Sequence, residues 1–238
     1  MKRGRLWTRE ELLPVINLYC KTPFGRIHQR NPDIIKLAAK LDRSPGSVSY
    51  KMANLAALDE SLDRAGARNA SQLDRDVWSE FFGNIEKHIT EIEAPNIDLE
   101  STKVGEDRVQ ETKVRVNQDF FRKTILASYE NRCCITGVSH SSLLRASHIL
   151  PWSKSKKHRL NPRNGLCLNA LHDCAFDCGF LTLDPDLIVR VSPKVSKRPT
   201  TGDSEMLLRY NGKRIVLPKK FLPDEEFLSW HRINVFKS

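Results

Sequence analysis

His148, Asn164, Asp173 and Asp177 stand close together in the chain, in the segments Ser147-His148-Ile149-Leu150-Pro151-Trp152, Asn164-Gly165-Leu166-Cys167-Leu168 and His172-Asp173, with Asp177 just beyond. A histidine, an asparagine and two carboxylates are the makings of a one-metal site for phosphodiester hydrolysis. That reaction needs an activated water, a cation to offset charge on the phosphate and help for the leaving oxygen; one divalent ion supplies the last two. His148 is the natural base, because a neutral imidazole with an unperturbed pKa of about 6.5 takes a proton from water near physiological pH. On a helix, Asp173 and Asp177 would set their Cβ atoms about 5–6 Å apart on one face, close enough to share a hard cation through oxygen. An ordinary solvated acidic face, with Asp173 in the first helical turn, is the competing account.

The elements that must position these groups follow from periodicity. The run Ser141 to Leu150 predicts a strand ending at His148, Asn164 to Asn169 a second short strand, and Ala170 to Cys178 a helix closed by Gly179. Strand, loop, strand, helix brings the motifs into one compact unit. The loop between the strands carries Lys154, Lys156, Lys157, Arg159 and Arg163. These cations either grip a nucleic-acid backbone through its phosphates or form a solvated basic loop.

The order His148, Asn164, His172-Asp173, set in Leu-Arg-Ala-Ser-His-Ile-x-Pro-Trp and Asn-Gly-Leu-x-Leu-Asn-Ala-Leu-His-Asp-x-x-Phe-Asp-x-Gly, resembles the HNH endonucleases, or ββα-metal nucleases. The branch it resembles is the one found in bacterial restriction-like proteins, and the similarity spans roughly residues 118 to 195. The resemblance implies an α+β chain with a carboxy-terminal ββα-metal HNH nuclease domain, restriction-type or defence-type cleavage of DNA, and products with 5′ phosphate and 3′ hydroxyl ends. It implies one divalent metal ion and an asparagine, here Asn164, that tethers the loop carrying the base. Asn164 beside Gly165 is also good turn chemistry, and the two roles are compatible.

Many members carry histidine nine residues after the asparagine, where this chain has Asp173, with His172 one position earlier. The metal role is therefore expected at Asp173, with Asp177. His148, Asn164 and His172 make up the expected catalytic set; His172 could take the metal role in place of Asp173 only if the helix starts late or is rotated, since neighbouring helical positions point about 100° apart. In other branches an acid that binds metal precedes the base; here Ser147 is a weaker ligand. Coordination would rest on the two acids, water and substrate phosphate, an oxygen-rich set that suits Mg²⁺ or Mn²⁺ better than Zn²⁺.

Composition agrees with a polyanionic partner. The 238 residues carry 39 Lys plus Arg against 29 Asp plus Glu, a net charge of +10, which favours nucleic acid without separating DNA from RNA. There is no apolar run long enough to span a membrane and no secretory signal at the start, so a cytoplasmic protein is expected. The six cysteines form no Cys-x-x-Cys pair, and Thr136 stands where the second cysteine of a zinc knuckle would follow Cys133. No structural zinc is expected, only reduced thiols.

The amino-terminal part, residues 1–83, reads as a helical domain. Thr8 and Glu11 make a capping box for a helix starting near Arg9, within which Pro14 should introduce a kink or shift the start. Asn31-Pro32 and Ser44-Pro45 open two further helices joined by the turn Asp42-Arg43-Ser44. This has the shape of a helix-turn-helix unit whose second helix would present Ser47, Tyr50, Lys51 and Asn54 to a major groove. An ordinary helical bundle accounts for the pattern almost as well.

Ser71 to Phe82 predicts a fourth helix, and the stretch 84–112, rich in Glu and Asp, predicts an acidic linker. The nuclease domain is expected over 113–238, opening with a helix capped by Asn117. Phe180 to Leu183 and Leu187 to Ser192 suggest a hairpin, Lys194 to Asp203 a polar loop, and the tail should fold back on the nuclease core. The leading expectation is a metal-dependent endonuclease acting on double-stranded DNA. The alternatives are a non-catalytic DNA-binding regulator with a degenerate HNH domain, and an RNA or homing nuclease. A double-strand cut by one-metal sites calls for two active sites, which a homodimer would supply.

Overall fold

The computed structural model of the chain describes residues 5–61, 70–93 and 106–238. It divides into two compact units, residues 1–124 and 125–238. The chain is α+β, with a helical amino-terminal part and two small antiparallel sheets in the carboxy-terminal unit. Among the described residues no helix is long and apolar enough to cross a membrane.

In the first unit, helix α1 (Arg9–Lys21) begins where the capping box predicts, and the Glu11 carboxylate accepts the Thr8 amide at 3.1 Å. Pro14 lies inside the helix, which starts at Arg9 nonetheless, because Leu12, Val15, Ile16, Tyr19 and Cys20 bury one continuous face. Helix α2 (Pro32–Lys40) and helix α3 (Pro45–Leu55) follow, each with its proline in the first turn behind an Asn31 or Ser44 cap. Their turn places Asp42 at φ +50° and hands Arg43 to Glu11, which receives its fork at 3.0 and 2.6 Å. The same guanidinium lies 3.8 Å from the centre of the Trp7 ring.

Helix α4 (Gln72–Gly83) and helix α5 (Ile85–Glu93) complete the packing on α1, with Val77, Phe81, Ile85 and Ile89 buried. Residues 85–93, within the stretch expected as a linker, are thus a seated helix; residues 94–105, with Asp98 and Glu100, lie outside the described residues. Helix α6 (Glu106–Ser128) begins well before Asn117. Asn117 is therefore a mid-helix residue rather than a cap, buried and donating to Glu86 at 3.1 Å.

The proposed reading face of α3 is corrected by its burial. Tyr50 is exposed, but Lys51 and Asn54 are buried along with Val48, Met52 and Leu55. The Lys51 ammonium donates to both oxygens of Asp74 at 2.9 Å, and Asp74, fully buried, also accepts the Ser71 amide at 2.9 Å as part of the α4 cap. A cation committed in this way is unavailable to DNA. Removing one partner of a buried pair strands the other charge, at a cost of about 3–5 kcal/mol. Asp74→Ala should therefore lower unfolding free energy by about that amount in urea titrations, and Lys51→Met with Asp74→Leu by much less. A loss for Asp74→Ala no larger than about 1 kcal/mol, the value of an exposed pair, would mean the pair is not structural.

In the second unit, strand β1 (Leu144–His148) pairs antiparallel with strand β2 (Gly165–Asn169), in a register that sets His148 opposite Gly165. Helix α7 (Ala170–Asp177) follows at once, and Gly179 at φ +71° turns the chain out of it. The predicted hairpin is present as strands β3 (Leu181–Leu183) and β4 (Val189–Val191). Where a polar loop is expected, two short helices form: α8 (Pro193–Ser196) and α9 (Thr201–Met206), the latter through a Thr200/Asp203 capping box.

The tail folds back as expected, through helix α10 (Glu225–Asn234), whose Phe227 and Leu228 are buried. Its His231 stacks on Phe176 of α7 at 3.7 Å, donates Nε2–H to the Phe176 carbonyl at 3.1 Å and accepts the Thr182 hydroxyl on Nδ1 at 2.9 Å. Burial pushes its pKa down to about 4. A histidine kept neutral by folding contributes stability that is whole above pH 6.5 and is lost as pH falls from there toward 4, on the order of 3 kcal/mol. The stability of His231→Gln should change less than wild type between those two pH values by about that amount. Superimposable pH profiles for the two proteins would remove His231 as the cause.

Candidate active site

The ββα unit places each sequence-selected group. His148 ends β1, half-buried, and its Nε2 donates to the Arg159 carbonyl at 3.0 Å. A carbonyl only accepts, so this bond holds the proton on Nε2 and leaves the basic lone pair on Nδ1. Burial pushes the imidazole pKa down, opposed by the Arg159 bond and by the negative charge of Asp173. The ring meets Trp152 edge-on, with centres 5.5 Å apart.

Asn164 is buried and spends its amide on the loop between the strands. Its Oδ1 accepts the Leu150 amide at 2.7 Å, while its Nδ2 donates to the carbonyls of Leu150 at 3.1 Å and His158 at 3.2 Å. Its own carbonyl accepts the Ile149 amide at 3.1 Å. One side chain thus ties the residues following His148 to those preceding Arg159.

Asp173 and Asp177 share the outward side of α7, Asp173 half-exposed and Asp177 exposed. Enough protein surrounds the Asp177 carboxyl that desolvation pushes its pKa up, with the charge of Asp173 adding to the rise. Asp173 is therefore in electrostatic reach of both His148 and Asp177. Among the described residues no three or more His, Cys, Asp or Glu side chains gather closely enough to hold a metal by themselves. Two carboxylates that repel each other still fit a hard cation that keeps several waters and takes one or two carboxylates plus substrate phosphates, the habit of Mg²⁺.

His172 is turned away from this face. It is buried, its backbone amide and its Nδ1 both donate to Asn169 Oδ1 at 3.0 Å, and its ring packs against Tyr210. The helix starts at Ala170, directly behind the Asn169 cap that engages His172. Asn169, the α7 cap, was not singled out from the sequence, although an Asn immediately before the helix is the ordinary capping signal. Ser147 also points inward, its hydroxyl buried, because successive strand residues face opposite sides.

The basic residues divide. Lys154, Lys156 and Lys157 are exposed. Arg163 is exposed but paired with Asp224 at 3.1 Å, and Arg159 is half-buried, donating to the Trp152 carbonyl at 3.1 Å.

Residues 133–184 match the family described as HNH endonuclease. The chain matches none of the curated protein sequences. A solved structure titled a modification-dependent TagI restriction endonuclease is similar over 48% of this chain and 37% of its own, with 20% sequence identity and a TM-score of 0.32. The chain thus spans well under two thirds of that protein's length. The strand-loop-strand-helix unit that carries His148, Asn164 and Asp173 lies within the residues that match the HNH endonuclease family.

Proposed function

We propose that the protein is a metal-dependent HNH endonuclease that hydrolyses phosphodiester bonds of double-stranded DNA in the cytoplasm, in restriction-type defence. The observation that carries this reading is the tautomer of His148: its Nε2 proton is given to a backbone carbonyl, so Nδ1 is basic, and it stands in the field of Asp173. In the mechanism His148 takes the proton of the attacking water. Asn164 holds the base in orientation through the loop. Asp173 and Asp177 would hold a divalent cation, Mg²⁺ or Mn²⁺, which when bound supplies positive charge to the phosphate and the leaving 3′ oxygen. Lys154, Lys156 and Lys157 offer point charges to flanking phosphates. Cutting both strands would require a second copy of the chain.

A second reading, a DNA-binding regulator with a degenerate nuclease module, draws on the inward Ser147 and on the absence of a three-donor cluster among the described residues. Supercoiled plasmid with Mg²⁺ or Mn²⁺ separates the two. Nicking should fall about 100- to 10,000-fold in His148→Ala and about 10- to 100-fold in Asn164→Ala. A gel shift without nicking under either metal, in the wild-type protein, would establish the binder instead. An RNA panel run alongside tests the substrate.

The pH dependence has a defined sign. A general base works unprotonated, and burial sets the His148 pKa below 6.5. Single-turnover nicking should therefore lose rate only as pH drops through a value under 6.5. An acid limb above that value that vanishes in His148→Ala would contradict the burial argument.

A further inference from the structure

Arg159 of the basic loop has both its carbonyl and its side chain engaged within the loop. Arg159 accepts the His148 Nε2 proton on its carbonyl at 3.0 Å. Its side chain turns back: Nε donates to the Trp152 carbonyl at 3.1 Å, and the guanidinium carbon lies 5.0 Å from the centre of the Trp152 ring. Trp152 in turn meets the His148 ring edge-on at an interplanar angle of 85°. His148, Arg159 and Trp152 form a closed ring of contacts, with Asn164 holding the neighbouring Leu150 and His158.

We infer that Arg159 is a positioning residue for His148, acting through Trp152, rather than a phosphate-binding residue like its lysine neighbours. The backbone carbonyl that fixes the base is presented by a residue whose own side chain is anchored to the far end of the same loop. The loop can then move only if the Arg159–Trp152 contact breaks. Lysine cannot reproduce this arrangement, because a point charge on a flexible stem lacks the planar surface that lies over an indole and the Nε donor beside it. The exposed Lys154, Lys156 and Lys157 remain the natural phosphate contacts.

This inference rests on the nuclease reading only for its kinetic arm. Two measurements are made on the full chain with Arg159→Ala, Arg159→Lys and Trp152→Phe, beside Lys156→Ala. The first is the ¹⁵N spectrum of the His148 imidazole, which reports whether the proton resides on Nε2 and needs no cleavage. Wild type should show the Nε2–H form; Arg159→Ala and Arg159→Lys should show a mixture with Nδ1–H, while Lys156→Ala remains wild type. The second is plasmid nicking against DNA affinity. Arg159→Ala and Arg159→Lys should lower the single-turnover rate about 10- to 100-fold with DNA affinity and its salt slope unchanged. Trp152→Phe, which keeps an aromatic face, should fall between these and wild type.

The opposite result, an unchanged Nε2–H signal in Arg159→Ala with weakened DNA binding and a salt slope reduced by about one, would make Arg159 a phosphate contact. If no protein nicks DNA but the imidazole signal changes as described, the positioning role stands and the nuclease reading fails. An unchanged imidazole signal in a folded Arg159→Ala overturns the positioning role whatever the activity.

Discussion

The second unit depends on one buried amide. Asn164 bonds Leu150 twice and His158 once, and so closes the loop between β1 and β2 at its base. Closing a loop of this length costs chain entropy that the short two-stranded ladder returns only in part. Each unpaired group of a buried amide costs about 1–3 kcal/mol, so the full set of bonds at Asn164 is worth keeping. The same bonds that stabilise the loop therefore specify a single path for it. That path delivers the Arg159 carbonyl to His148, so the orientation of the His148 ring follows from a stability requirement.

Electrostatics then differentiates groups of similar chemistry. Burial lowers the pKa of His148 and raises that of Asp177, and Asp173 acts on both, restraining the fall of one and adding to the rise of the other. Burial thus disfavours the charged form of both groups. His231 is buried as well, but each ring nitrogen is used in packing α10 against α7 and β3, and its role is cohesion. The two histidines differ in what surrounds them, not in kind.

The module was legible in the sequence because its determinants are local. The end of β1 at His148, the immediate succession of β2 and α7, and the glycine after the helix follow from periodicity and turn chemistry within a few dozen residues. What sequence could not supply were partners distant in the chain. Lys51 and Asn54 look like an exposed polar face until Asp74, brought up by another helix, makes burial of the lysine affordable. Asn117 likewise resembles a cap until Glu86 receives its amide inside a longer helix. The fate of Arg159 was hidden for a related reason: whether a loop arginine faces solvent or folds onto an indole depends on the path that Asn164 imposes.

The helix that carries the acids is held at both ends. At the amino end Asn169 receives the His172 amide and ring, locking that side chain inward. At the carboxy end Gly179 passes so close to the tail that a Cβ there would lie 2.0 Å from the Val235 carbonyl oxygen, and its own carbonyl accepts the Lys237 amide at 2.9 Å. The positive φ of Gly179 adds a second reason why no larger residue fits. Between them, His231 stacks on Phe176. Rotating α7 far enough to exchange Asp173 for its neighbour would break the cap, the stack and the tail contact together.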